Sequence, residues 1–546
     1  MTSNCYLHRG TAWQSGLSLL TAVVLSLTTL LAWPTAAFAR EGTPVASSIQ
    51  PYLDGVADNI SEFTLDNGMK FIVLERPQAP VVSFMLYADV GAVNEADGAT
   101  GIAHYLEHLA FKGTQRIGTT DYLAEQALID EMDAVFAEIL ATEAAGDTTT
   151  AEALRSQLET LRQEAAQYVE QNKYGQIIEQ AGGVGLNATT GADATRYFYS
   201  LPSNKLELWM SLDSERFLDP VFREFYEVKE VILVERRMRV DNSPIGQFIE
   251  VFLEEAFDEH PYRRPVIGYQ SDLYVATRDT VKSFFDDYYG PSNLIGVIVG
   301  DVDAQTVEQM TATYFGRFPS QSLPADVTIT EPPQQTPKEF TLELPSQPWY
   351  LEGYHRPSIN DPDHAIYGMI ESILIRGRTA RLYKELVEDQ QIALDVGGFS
   401  GFPGDKYPNM LVLYGITAPA VEPDQIAAEI HRQLEQLQTE PVSAEELDRV
   451  KTQAQAGLLR QLDSNSGMAA LLAEYEAKTG SWRNIFTELE EIEAVTPAAI
   501  QRVAQSTFRP ENRTAGRLLS APDHKEWTAR VECGGIVPAG RGCSGL

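Results

Sequence analysis

Cysteine is nearly absent from this chain, with three among 546 residues. Cys5 lies in the N-terminal segment, and Cys533 and Cys543 lie in the Gly-rich stretch CGGIVPAGRGCSGL. A zinc site built on that C-terminal pair lacks two further ligands nearby. In an exported protein the pair reads as a small terminal disulfide loop, a local staple. Positive charge is also short: 42 Lys plus Arg stand against 77 Asp plus Glu, a formal charge of −35. That balance argues against nucleic-acid binding and for a soluble, self-repelling surface. Long hydrophobic runs are missing except at the N-terminus, where GLSLLTAVVLSLTTLLAW follows MTSNCYLHRGTAWQS. Pro34 then breaks the run and AFA at 37–39 places small residues, Ala37 and Ala39, where a signal peptidase reads them, so residues 1–39 read as a secretory signal that is cleaved. The alternative is an uncleaved anchor, because the run approaches the length of a membrane span. Either way the body carries no membrane span, and export to a periplasm or to the medium is expected. Histidine is scarce as well, with eight residues in all.

What is present is organised in two halves. The length suggests two or more domains. FTLDNGMKFIVLERPQAPVVSFMLYADVG predicts strands around an Asn-Gly hairpin turn. Residues 121–178 are rich in Ala, Glu, Leu and Gln, with a break at AAGDTTT, and predict a long antiparallel helical hairpin inserted into the first half. NKLELWMSLDSERFLDPVF and REFYEVKEVILVERRMRVD predict two further helices, and LIGVIVG (294–300) a buried strand. The Pro-rich stretch PSQSLPADVTITEPPQQTPKE supplies a linker, placed at 326–337. Beyond it the order of strands, helices, strand and helices returns, a coarse internal duplication. The domains expected are therefore 40–325 and 338–520, followed by a Gly-rich tail at 521–546.

Against this scarcity, ATGIAHYLEHLAFKGT (99–114) places two histidines and a glutamate within five positions. Ile102, Leu106 and Leu109 are spaced for a helix, on which residues four apart share a face. His104 and His108 can then offer two imidazole nitrogens to one cation, with Glu107 placed to reach a water beside it. The bland reading is a histidine pair on an amphipathic helix, but the glutamate in that place makes chance occurrence rare in so His-poor a chain. Neutral imidazole suits zinc, whose catalytic sites take three protein ligands and leave the fourth position to water. A third ligand is sought in the helix that holds Glu224, Glu227, Glu230 and Glu235. Glu235 extends the apolar stripe of Phe225, Val228, Val231 and Ile232, and a carboxylate on a buried stripe must be paired or coordinated.

These residues, with GAVNEADGATGIAHYLEHLAFKGT, GLNATTGADATRYF, VILVERR and HPYRRPVIG, make the chain resemble the inverzincin metallopeptidases: pitrilysin, insulin-degrading enzyme and the mitochondrial processing peptidases. The resemblance covers nearly all of residues 60–520, with the specific motifs in the first half. It implies an α+β fold, an α/β sandwich of two homologous domains that close as a clam-shell. Each domain is expected to be a mostly antiparallel sheet packed with helices. It implies a zinc endopeptidase acting on peptides or short unfolded segments, with one Zn2+ per chain on His104, His108 and Glu235 and with Glu107 as the base. It also implies that Asn187 and Ala188 line the cleft and pair with an extended peptide. The length is that of half-length members, which assemble from two chains. Three departures stand out: a longer gap between His108 and Glu235, Val228 where a second glutamate is common, and Val387 and Leu394 where an Arg/Tyr pair often holds substrate. A heterodimer whose partner supplies that pair is one expectation, and a homodimer is the other. A non-catalytic peptide-binding or structural subunit is the rival function.

Overall fold

The computed structural model describes residues 55–521; the expected signal segment at 1–39 and the tail beyond 521 with both C-terminal cysteines lie outside the described residues. The Asn-Gly signal forms the turn it predicts: Gly68 has φ +94°, and strands β1 (Ile60–Thr64) and β2 (Lys70–Glu75) pair antiparallel around it. The Asn67 amide donates to the carbonyls of Phe315 and Phe318, which pins this turn to the end of the first half.

The first sheet has the order β1-β2-β6-β3-β5-β4, where β3 is Val81–Ala88, β4 Val184–Thr190, β5 Thr195–Pro202 and β6 Leu294–Gly300. Only β2 and β6 run parallel within it. The second sheet has the order β7-β11-β8-β10-β9, with β7 Lys338–Leu344, β8 Trp349–Arg356, β9 Ala393–Phe402, β10 Asn409–Thr417 and β11 Arg513–Ser520. There only β7 and β11 run parallel. With β1 set aside, β2 to β6 map onto β7 to β11 strand for strand, in order and in direction. The duplication faintly visible in the sequence is a repeat of topology. Among the described residues β4 and β9 each end their sheet as an edge without a further strand.

Alternation along the central strands serves two layers. Phe84, Leu86, Tyr197 and Tyr199 point into the main core of the first half, while Met85, Tyr87 and Phe198 face a second cluster. That second cluster is closed by Leu472, Ala473 and other residues of a helix from the second half.

The inserted hairpin is narrower than 121–178. Its arms are α2 (Tyr122–Ala144) and α3 (Thr148–Ala165), and a separate short helix, Lys173–Gln180, follows. The threonines read as part of the break are helical, because the Asp147 carboxylate accepts from the Thr150 N–H and starts the second arm at Thr148. At its base, Arg223 and Glu125 form an ion pair with both side chains 1% exposed, and the same guanidinium donates to the carbonyls of Lys112, Thr114 and Ile117. Glu125→Ala would leave that charge buried without its partner. It is expected to cost about 3–5 kcal/mol, read as a lower midpoint in chemical denaturation.

The segment between the halves is no free tether. The Glu331 carboxylate accepts backbone N–H groups of Asp258, Glu259 and His260, and the Gln334 amide donates to Arg513. The tip of the β4–β5 hairpin is also held by the second half. Buried Asp193 accepts from the Tyr262 hydroxyl and from the backbone N–H of Asp405 and Lys406.

A candidate metal centre at a free sheet edge

Helix α1 (Ile102–Leu109) follows β3 and buries Ile102, Ala103, Tyr105, Leu106 and Leu109 against the first sheet's core. Its start is unusually well held. Gly101 has φ +81°, and a Cβ there would meet the Ile267 carbonyl at 2.6 Å, so the loop carrying Val266–Gly268 closes directly on the helix N-terminus. Gly101 offers no side chain as a cap, and the buried Glu95 takes that part: its two oxygens accept from the N–H of Gly101 and of Ala103, each at 2.8 Å. Burial pushes the Glu95 carboxyl up to about 8, opposed by those two donors and by Arg264. Glu95 lies in GAVNEADGATG ahead of the helix, and no local pattern marks it as the cap.

The last ligand candidate comes from the helix labelled here α4 (Phe225–Arg236). Tyr105 of α1 stacks on Phe225 with ring centroids 4.7 Å apart and donates its hydroxyl to the Phe225 carbonyl, which sets the crossing of the two helices. The apolar stripe expected to lead to Glu235 is broken at Val231. Phe225, Val228 and Ile232 are buried, but Val231 is 54% exposed. Glu235 therefore does not end a continuous buried stripe; it lies at the edge of one, facing the imidazoles. Glu227 and Glu230 are taken up by Arg162 of α3, and Glu224 by Lys112. Val228 is a core residue.

Three donor atoms converge. The Nε2 atoms of His104 and His108 lie 3.2 Å apart, and the Glu235 Oε2 is 3.8 Å from the first and 3.6 Å from the second. Ligands held to one tetrahedral ion by bonds of about 2.0–2.1 Å lie about 3.3 Å from each other. The set therefore fits a zinc ion in both donor type and spacing. Among the described residues this is the one cluster of its kind. Burial lowers both imidazoles below their ordinary value, His104 to about 3, so both are neutral and present lone pairs. Arg239, four residues on, binds Glu235 Oε1 at 2.9 Å and leaves Oε2 turned to the histidines. The buried Nδ1 of His104 has no hydrogen-bond partner among the described residues. A ring fixed by packing alone is held less firmly than one with a carboxylate or carbonyl behind it.

Glu107 stands outside this trio. Its Oε2 accepts from the Thr190 hydroxyl at 2.6 Å, which ties it to β4. Burial raises its carboxyl above the ordinary range and the nearby Glu235 adds to that, while the Thr190 hydrogen bond opposes both. Thr190, like Glu95 and Arg239, was not singled out from sequence. A cleft of about 860 Å³ joins these groups, lined by Phe111, by Asn187 to Thr190 and by Val266 and Ile267. Asn187 is exposed and Ala188 buried, both on the free edge strand β4. All the lining residues come from the first half. Val387 packs against the second core and Leu394 is exposed on β9; neither lines this cleft.

Comparison with known proteins is consistent with this geometry. The family model of the insulinases (peptidase family M16) matches residues 70–135, and that of the peptidase M16 inactive domain matches residues 276–454. The chain is 27% identical over 420 residues to the zinc protease PqqE of Helicobacter pylori, covering 76% of this chain and 82% of that one. To a Bacillus subtilis zinc protease, YmxG, it is 20% identical over 454 residues, 82% of this chain and 96% of the other. Among solved structures, a protease from Helicobacter pylori shares the fold with a TM-score of 0.71 at 24% identity, over 84% of this chain and 99% of that one. The first half of the periplasmic protease PqqL from Escherichia coli superposes with a TM-score of 0.62 at 17% identity, over 85% of this chain and 92% of that one.

Proposed function

Because the chain belongs to the insulinase peptidases of family M16, we propose that it is a zinc-dependent endopeptidase that cleaves peptides or short unfolded segments. The observation that carries this is the convergence of His104, His108 and Glu235 within 4.8 Å of one another, with Glu107 beside them and outside the ligand set. A zinc ion held by those three residues would polarise a peptide carbonyl and make a neighbouring water easier to deprotonate. The rest is work for this chain's own groups. Among the described residues no strand pairs with the outer edge of β4, and an extended peptide adds there as a seventh strand to the six-stranded sheet, running past Asn187 and Ala188. Thr190 holds Glu107 toward the site, so the carboxylate accepts a proton from the attacking water and returns it to the leaving amine.

The cleft's lining supports a dimer: only first-half residues line it, and Val387 and Leu394 lie elsewhere. In this reading a second homologous chain closes the chamber and brings an Arg/Tyr pair to the substrate, and a homodimer would have to close it without one. The apolar N-terminal segment supports export; among the described residues no helix is long and apolar enough to cross a membrane. The test is hydrolysis of a quenched, unstructured peptide by the full chain with zinc. Cleavage abolished by a chelator and restored by zinc is expected. A chain that binds zinc and cleaves nothing, alone or mixed with homologous subunits, would make it a peptide-binding subunit instead.

A further inference from the structure

The free edge strand has two sides, and the second side also opens into a cavity. Ala188 and Thr190 of β4 face α1 and the metal centre, whereas Thr189 sits opposite Arg196 on β5 and turns the other way. A cavity of about 620 Å³ lies on that side, between the sheet and the helices here labelled α5 (Ala444–Asp463) and α6 (Asn465–Thr479). Thr189 borders both cavities, so the two meet at the strand. A peptide added to β4 alternates as β4 does. Every second side chain would face the metal centre, and those between would hang over this cavity.

The chemistry of the cavity is specific. Met85 and Phe198 give it apolar walls, and two guanidinium groups, Arg196 and Arg460, border it. Among the described residues Arg196 has one distant carboxylate, Glu474 at 3.9 Å, and that carboxylate is engaged at 2.6 Å by Lys478. Arg460 has no ion pair among the described residues and is exposed. The Thr189 hydroxyl is buried without a hydrogen-bond partner among the described residues. Two guanidinium groups without a close carboxylate among the described residues, beside a buried hydroxyl and apolar walls, complement an anionic group on a short aliphatic stem.

Resting on the peptidase reading for the pose of the peptide, we propose that this cavity is a specificity pocket that takes a glutamate-type side chain of the substrate, held by Arg196 and Arg460. The chain's overall charge of −35 argues the other way, toward cationic peptides. Screening decides between them: at physiological salt, charges beyond about 8 Å are largely damped, so the groups at the contact set the preference.

Binding can be read without turnover. Fluorescein-labelled ten-residue peptides of alanine, serine and valine, carrying glutamate, glutamine or lysine at one scanned position, are titrated against the full chain bearing Glu107→Gln, by anisotropy. At one register glutamate is expected to bind about tenfold tighter than glutamine at physiological salt, where the overall charge is screened, with lysine weakest. Arg460→Gln and Arg196→Gln, each added to that chain, should shrink the preference, and Arg460→Glu should move it toward lysine. Equal affinities at every register, or no binding of any peptide, overturn the pocket. Hydrolysis of the same peptides by the unmodified chain with zinc bears on the peptidase reading alone. A glutamate preference in binding, with no cleavage by the chain alone or mixed with homologous subunits, would overturn that reading and leave the pocket standing.

Discussion

Glu107→Gln is expected to lower kcat/KM for an unstructured peptide by about a thousandfold, within the span usual for a general acid–base group, with zinc still bound one per chain. The substitution keeps shape and volume, and Glu107 is not among the three converging donors, so nothing that holds the ion is removed. The glutamine oxygen still accepts from Thr190 and keeps the side chain aimed at the cleft. What is lost is the ability to take up a proton. Metal content by mass spectrometry alongside the rate separates the outcomes. Retained activity would move the base elsewhere. Lost zinc would place Glu107 among the ligands and take Glu235 out of that role.

Glu235→Ala is expected to weaken zinc binding by more than about a hundredfold, beyond the usual cost of losing an outer-shell partner, and to abolish cleavage at limiting zinc. Two imidazoles 3.2 Å apart remain, but two neutral donors leave the ion's charge without a carboxylate. The control is Glu227→Ala. That carboxylate is on the same helix but belongs to Arg162 of the hairpin, so zinc affinity should not change. Competition with a chromophoric chelator reads both. Equal losses would mean that the helix, and not a ligand, had been disturbed.

The two variants also show how unevenly the site was legible. His104, Glu107 and His108 sit on one turn of helix, where geometry follows from spacing, so the sequence alone placed two nitrogens on one face. Glu235 was reached through a stripe that is only partly real, since Val231 is exposed. What brings Glu235 near is the stacking of Tyr105 on Phe225, a contact across 120 residues that no local pattern encodes. Glu95 and Thr190 escaped for the same reason. A carboxylate capping a helix from beyond a loop, and a strand hydroxyl steadying a base, look like any surface residue until the chain is folded.

Local rules carried much else. An Asn-Gly turn, a helical hairpin, an inserted Pro-rich segment and a duplicated order of elements are all statements about neighbours in sequence, and backbone propensity and periodicity determine them. The sequence by itself therefore determined the elements, the two halves and the metal-gripping turn. Tertiary structure alone decided that the repeat is one of topology, that Arg223 and Glu125 lock the hairpin's base, and that the edge strand β4 divides two cavities of different chemistry. The physical reason is range. Helix and turn signals act over a few residues, while a buried ion pair, a ligand from another helix and a pocket roofed by the second half depend on packing among segments hundreds of residues apart, where one pattern of apolar residues is compatible with many arrangements.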